Sequence, residues 1–216
     1  MKNIVKQFQG IPTPCISDAM QGLNNLSPAI KPLSDNKQLI GRALTVKMPV
    51  GDNLAVLRAI REAKPGDVLV IDAKGDSYRA VAGDFVVSMA QAMGINGIVV
   101  DGVIRDIVGI KALNYPVFCK GTTVAASAKS GAGEINGPIS CGGIPVHPGD
   151  IIVGDMDGVV VVPQSTEEDV LTKASAKLYQ DHIRAENISC NPEAVKNYLD
   201  GILSKHLNNV KTSTII

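Results

Sequence analysis

Tryptophan is absent and aromatic residues make up only 3% of the chain, so the base-stacking platforms of single-stranded nucleic acid binders are missing. An excess of one charge is lacking too. Over 216 residues, 21 Lys and Arg balance 21 Asp and Glu, and a formal net charge of zero gives no field to draw the chain onto nucleic acid or acidic lipid. Cys15, Cys119, Cys141 and Cys190 form no Cys-x-x-Cys pair, which fits free thiols in a reducing cytoplasm. His147, His182 and His206 stand far apart without zinc-type spacing. No apolar run reaches the roughly eighteen residues of a membrane span, and the start of the chain carries Lys2 and Lys6 but no long apolar stretch, so neither a span nor a signal peptide is expected. What is present is 45% hydrophobic, mostly small aliphatic, enough to bury a core in one domain. A single domain over 1–216 is expected, with 165–208 as a C-terminal helical extension.

Hydrophobic periodicity organises the chain. Ser17 ahead of Asp18-Ala19-Met20 reads as the N-cap of a short helix. Gln38 to Pro49 alternates as a strand does. Leu54, Ala55, Leu57, Ala59 and Ile60 make an amphipathic helix of Asp52 to Ala63. Pro65-Gly66-Asp67 turns into a strand over Val68–Asp72, Gly83 opens a helix over Asp84–Met93, and Gly97–Asp101 reads as a buried strand. A short helix over Ile107–Leu113 and a strand over Pro116–Cys119 follow. Alternating strands and helices predict parallel pairing through right-handed crossovers. From Gly121 the chain becomes glycine-rich and proline-punctuated, and Asp155-Met156-Asp157-Gly158 reads as a hairpin turn between antiparallel strands, so the sheet is expected to be mixed. Two charged helices, Thr166 to Glu186 and Pro192 to Leu207, close the chain.

The chemistry concentrates at Gly102-Val103-Ile104-Arg105-Asp106, which places a cation and a carboxylate together where a strand's carboxyl end meets a helix. Open α/β sheets bind ligands there. An arginine can hold a carboxylate or enolate oxygen bidentately, and an aspartate can ligate a hard cation such as Mg²⁺. The plainer alternative is that Asp106 caps the helix and Arg105 is solvated. Asp18, Asn53, Asp72 and Asp101 are explained adequately as caps and strand-end turns. His147, between Val146 and Pro148, reads as structural. Lys74 and Lys120 raise the alternative of a Schiff-base aldolase, but neither lies in a plainly apolar stretch that would depress an amine pKa.

Ser17-Asp18-Ala19, Gly51-Asp52-Asn53, Pro65-Gly66-Asp67, Gly83-Asp84, Asp101-Gly102 with Arg105-Asp106, Gly142-Gly143, Pro148-Gly149-Asp150 and Gly154-Asp155-Met156-Asp157-Gly158 occur in this order. With that spacing, the sequence resembles the family of regulator of ribonuclease activity A (RraA-like) and the 4-hydroxy-4-methyl-2-oxoglutarate aldolases. The resemblance implies a swivelling α/β/β-layered fold, assembled as a homotrimer or homohexamer with active sites between subunits. Its aldolase branch implies cleavage of 4-hydroxy-2-oxoacids to pyruvate, oxaloacetate decarboxylation, and a divalent cation, Mg²⁺ or Mn²⁺. The regulator branch typically lacks the acidic residue after the arginine and has shorter termini. Asp106 and the long C-terminal helices point to the enzyme.

On this resemblance, Asp106 ligates the metal, Arg105 donates to the ketone oxygen, and the backbone N–H groups of Gly83, Asp84, Phe85 and Val86 hold the pyruvyl carboxylate at a helix start. Asp84 binds a metal-bound water as a catalytic group; the plainer alternative is a favourable charge at a helix start. The resemblance also implies a carboxylate from a neighbouring subunit's C-terminal helix, for which Asp181 is the first candidate and Glu186 the second. Side chains facing the second oxoacid are expected on the loops around Asn53 and over 73–79. The rival function is a noncatalytic regulator that binds a ribonuclease. A methyltransferase is disfavoured, because no glycine-rich G-x-G-x-x-G loop follows an early strand.

Overall fold

The computed structural model describes residues 4–34, 38–131 and 133–212. Residues 1–174 and 175–216 form two compact units. In the first, an eight-stranded sheet runs in the order Lys31–Pro32, Val117–Cys119, Gly97–Asp101, Asp67–Asp72, Leu39–Lys47, Ile151–Gly154, Val159–Val162, and Glu134–Ile135 pairs with the far end of Leu39–Lys47. The four strands from Val117–Cys119 to Leu39–Lys47 are parallel, and the remaining pairings are antiparallel. The sheet is mixed, as expected.

Alternation along the strands divides the core into two layers. Leu69, Ile71, Ile98 and Val100 face one side, packed with Ala55, Ala59, Val87, Ala90 and Ile110 of the helices α3 (Leu54–Glu62), α4 (Asp84–Ala92) and α5 (Ile107–Ala112). Val68, Val70, Val99 and Phe118 face the other, packed with Ile139, Cys141 and Val146 of a small hairpin. Both faces are therefore dry. That is why these strands read as continuous apolar runs, and why helices, sheet and hairpin form three layers. The hairpin turns at Gly142 and Gly143, with φ of 55° and 83°, the left-handed pair that a tight two-residue turn requires.

One expectation is corrected. The helix read as starting at Ser17 is α2, Thr13–Ala19, with Ser17 inside it. Pro14 presets the first turn, Thr13 is tied to the turn between the strands Ile151–Gly154 and Val159–Val162 by Asp155, which accepts from its N–H at 2.7 Å and its hydroxyl at 2.6 Å, and Gln21 and Gly22 end it at positive φ. The remaining helices and strands lie within a few residues of their expected bounds.

Two long helices close the chain, α6 (Glu167–Ile188) and α7 (Pro192–Thr212). The start of α6 is fixed in the first unit by Val170 and Ala174, both buried, and by Glu167, which accepts both terminal nitrogens of Arg42 at 2.5 and 3.1 Å. In the second unit Tyr179, Ile183, Leu199 and Leu203 are exposed. No helix among the described residues is long and apolar enough to cross a membrane.

Candidate active site

Two backbone hydrogen bonds build the site. Val81 N–H donates to Val103 at 2.9 Å and Arg105 N–H to Ala82 at 3.0 Å. The segment entering α4 is thereby laid against the segment that follows the Gly97–Asp101 strand. Gly83, the residue before α4, then faces Arg105 and Asp106, the residues before α5. Asp106 takes φ 59° and ψ 40°, the left-handed region that Asp tolerates better than most side chains. It makes no side-chain cap to α5, so capping does not explain its carboxylate. Instead Asp106 Oδ2 stands 3.3 Å from Arg105 Nε, with both side chains 42% exposed.

The two helix starts interlock through glycine. A Cβ on Gly83 would overlap the Asp106 carboxylate, and a Cβ on Gly109 would overlap that of Asp84. Each carboxylate thus occupies space that the opposite helix leaves by lacking a side chain. Asp84 Oδ1 also accepts its neighbour's N–H, Phe85, at 2.7 Å. That uses one of the amides expected to face substrate and leaves those of Asp84 and Val86 in a first turn whose N–H groups have no helical partners.

These groups line a cavity of about 170 Å³ with Asn53, Ala80, Ala82, Ala126, Ser127 and Lys129. The volume falls below the roughly 300–1,000 Å³ of drug-sized pockets and suits a small metabolite. A larger cleft of about 640 Å³, lined by Gln9, Gln38, Gln91, Asn96 and Asn114 among others, holds no carboxylate and one cation, Lys6. The smaller cavity is the better chemical site.

Lys129 and the buried face of Asn53 were not legible as a pair in the sequence. Asn53 does not cap α3. Its Nδ2 donates to the Val81 carbonyl at 2.8 Å, while its Oδ1 is buried without a partner, an arrangement that costs about 1–3 kcal/mol unless something donates to it. Asp52 makes the cap: its carboxylate accepts from Leu54 N–H at 2.9 Å, from Gly131 N–H at 3.1 Å and from Ser130 N–H. These donors, Leu54 foremost, hold its carboxyl below the ordinary value even though burial pulls the other way.

The other candidates lie elsewhere. Asp18 is within α2. Lys74 pairs with Asp72 at 2.5 Å and Lys120 with Asp101, and neither lysine lines the cavity. Burial, with Asp101 and Asp72 nearby, pushes the Cys141 thiol up and keeps it protonated. His147 faces Asp150 at 3.7 Å in its turn. Asp181 and Glu186 are on α6 in the second unit, where Lys177 reaches both Asp181 oxygens at 2.8 Å and Arg184 lies at 3.1 Å. The Lys177 hydrogen bonds hold the Asp181 carboxyl below its ordinary value. Among the described residues, no three His, Cys, Asp or Glu side chains converge as a metal-binding group.

A family model described as RraA-like, Aldolase/RraA, matches residues 13–161, which contain every residue of this cavity. The chain belongs to the RraA-like family. A Halalkalibacterium halodurans protein that carries a provisional name as a 4-hydroxy-4-methyl-2-oxoglutarate aldolase is 58% identical over 93% of this chain and 96% of its own length. An uncharacterised Pseudomonas syringae protein of known structure is 29% identical with a TM-score of 0.79, covering 91% of this chain and 96% of that one. Streptomyces coelicolor RraAS2, described as an unusual member of the RNase ES inhibitor RraA family, is also 29% identical, with a TM-score of 0.76 over 86% of this chain and 98% of its own. The RraA-like family thus includes relatives named for an enzyme and relatives named for ribonuclease inhibition.

Proposed function

We propose that this RraA-like chain is a divalent-metal-dependent carbon–carbon lyase: a class II pyruvate aldolase for 4-hydroxy-4-methyl-2-oxoglutarate or a related 4-hydroxy-2-oxoacid, with oxaloacetate decarboxylase activity. One observation carries the reading. The Arg105 guanidinium and Asp106 carboxylate stand side by side, freed from capping, in a cavity that also holds the start of α4. The 58% identical relative supports it.

The donor set fits Mg²⁺ or Mn²⁺. Asp106 offers a half-exposed carboxylate in the space vacated at Gly83, with Asp84 on the same cavity, and a hard cation with one or two protein carboxylates completes its shell with water. When bound, such a cation supplies Lewis-acid charge beside the 2-oxo group. Retro-aldol cleavage and β-decarboxylation both develop negative charge on the ketone oxygen. Arg105 donates to that oxygen, and the contact strengthens as the charge grows. The Asp84 and Val86 amides hold the C1 carboxylate. The exposed Asp84 carboxylate accepts from water at the reacting centre and tunes its proton affinity.

We also place the site at a boundary between copies of the chain, as a homotrimer or homohexamer. Val108 and Val124, 82% and 94% exposed, line a cleft with Arg105 and Asp106, and Phe85 is 73% exposed on the cavity itself. Such a rim of bare apolar side chains calls for a covering surface. Asp181 from a partner subunit would complete the charge of the site. Cys119, Cys141 and Cys190, which are in no disulfide, suit the cytoplasm.

The test is pyruvate release from oxaloacetate and from 4-hydroxy-4-methyl-2-oxoglutarate, with Mg²⁺ or Mn²⁺ and then with EDTA. Folded protein that releases no pyruvate from either substrate removes the proposal. The named ribonuclease inhibitors among the relatives support a second reading, in which a noncatalytic regulator binds a ribonuclease. A ribonuclease complex that survives Asp106→Ala, in protein without lyase activity, would favour it.

A further inference from the structure

The two parallel strands that lead into the site end in paired charges. Asp72 and Asp101 stand opposite each other in register at the carboxyl ends of Asp67–Asp72 and Gly97–Asp101. They continue the alternation of Val68, Val70 and Val99, so both carboxylates belong to the hairpin side of the sheet. Both are buried, and each has a lysine, Lys74 for Asp72 and Lys120 for Asp101. The Asp72 pair closes on its own loop, two residues along the chain. The Asp101 pair joins two strands of the sheet.

Asp101 ties three segments to its own strand. Its Oδ2 accepts the Gly142 N–H of the hairpin turn at 2.8 Å, and its carbonyl accepts the Gly75 N–H at 3.0 Å. Its Oδ1 is buried without a hydrogen bond of ordinary geometry, so the charge that compensates it is the paired Lys120 ammonium. That ammonium also lies beside loop 73–79, where a Cβ on Gly75 would meet it at 3.4 Å. The main chain at Lys120 carries the segment that ends in Arg105 and Asp106. Lys120 N–H donates to Gly102 and Thr123 N–H to Ile104, both at 2.8 Å, and Val103–Ile104 pairs in parallel with Gly121–Thr122. Neither Asp101 nor Lys120 lines the cavity. Stability alone is a poor reason for such a pair, since apolar groups of similar volume in place of a buried ion pair are often neutral or stabilising. What the carboxylate supplies is direction, one oxygen aimed at Gly142 and the other at Lys120.

We propose that the Asp101–Lys120 pair fixes where Arg105 and Asp106 stand against Gly83, Asp101 and Lys120 being positioning residues that touch no substrate. This deepens the aldolase reading and rests on it for the roles of Arg105 and Asp106. The pair clamps the end of the Gly97–Asp101 strand to the strand beside it, immediately before the chain turns at Gly102 into the site.

Three variants separate position from stability. Lys120→Met leaves the Asp101 carboxylate buried without its cation and should lower the melting temperature by about 5 °C or more. Asp101→Asn combined with Lys120→Met removes both charges, keeps an acceptor for Gly142 and should recover most of that loss. Lys120→Arg keeps the pair. With oxaloacetate and Mn²⁺, Lys120→Met and the double variant should both lose about tenfold or more in kcat, the order expected of an ångström-scale displacement at a reacting group, with a much smaller change in KM. Lys120→Arg should keep most of the wild-type kcat. A kcat that returns with the melting temperature in the double variant overturns the proposal, as does wild-type kcat in Lys120→Met. Hydrogen exchange at the Arg105 amide, which donates to Ala82, reads the same point without turnover. Followed by NMR, it should be about tenfold or more faster in the double variant, a local opening, while the amides of Ile151–Gly154 keep their wild-type rates. Unchanged exchange at Arg105 overturns the proposal. Faster exchange at Arg105 in a protein whose wild type releases no pyruvate sinks the lyase and keeps the positioning role, whereas pyruvate release with unchanged exchange and kcat in the double variant sinks the positioning role alone.

Discussion

Asp106 fills the space where Gly83 would carry a side chain. The carboxylate at the start of one helix is seated in the missing Cβ of the residue before the other, and Asp84 repeats the arrangement over Gly109 in the opposite direction. The pairing sets both acidic groups at fixed places on one cavity, Asp106 without any cap to its helix and Asp84 with only one oxygen given to a first-turn N–H.

Substituting Gly83 tests whether that seat matters. Its φ of −118° is open to any residue, and an added methyl group would meet chiefly the movable end of Asp106. Gly83→Ala should therefore cost only about 1 kcal/mol in stability, the usual penalty for alanine at an N-cap, yet displace the carboxylate. The expected result is a near-native melting temperature with metal-dependent pyruvate release reduced by about tenfold or more, since an ångström-scale misplacement at a reacting centre has effects of that order. A variant with wild-type activity would show that the carboxylate's position is unimportant.

Asp106→Asn should remove Mn²⁺ binding while leaving the fold intact. Asn tolerates the left-handed backbone as well as Asp does, and no cap is lost, so urea unfolding should shift by no more than about 0.5 kcal/mol. Calorimetry of Mn²⁺ against wild type and variant reads the difference directly. Equal heats and affinities would place the cation elsewhere.

The central strands were legible because burial on both faces leaves an unbroken apolar signature in Val68–Asp72 and Gly97–Asp101. Helix α3 was legible because its face alternates with a helical period. The start of α2 was misread because Ser17 has the chemistry of a cap, whereas Pro14 and the distant Asp155 decide where the helix begins. Within the site, Gly83-Asp84 and Arg105-Asp106 are short contiguous motifs and could be read locally. Lys129 could not. It sits in a glycine-rich loop without periodicity, and its place on the cavity depends on Asp52 reaching Ser130 across 78 residues. Asn53 looked like a cap because the sequence shows its position before α3 and not its bond to Val81, 28 residues away.

Arg105→Lys should separate binding from chemistry. Lysine keeps the charge but loses the planar fork that can face a carboxylate and a developing enolate oxygen together. On the proposed function the contact is strongest in the transition state, so kcat should fall, on the order of 10²–10³ as for other oxyanion donors, with a much smaller change in KM. Steady-state decarboxylation of oxaloacetate measures both. A variant with raised KM and unchanged kcat would make Arg105 a simple binding residue.

The Asp52 clamp carries a pH signature of definite sign. Donation from Leu54, with Ser130 and Gly131 adding, holds its folded-state carboxyl below the ordinary value, so the unfolded chain takes up the proton first as the pH falls. The stabilisation is therefore fully present above the unfolded carboxylate value of about 3.9 and is lost as the pH drops through the folded one. Urea unfolding of wild type and Asp52→Asn between neutral pH and pH 3 should show a gap that is widest at neutrality and narrows as the pH falls below the unfolded value. Other carboxylates titrate alike in the two proteins, so the narrowing reports Asp52. A gap that stays constant across the range would mean that the residue acts through shape alone, and the loop bearing Lys129 would then be held by its backbone bonds to Gly51 and Asn53 rather than by the carboxylate.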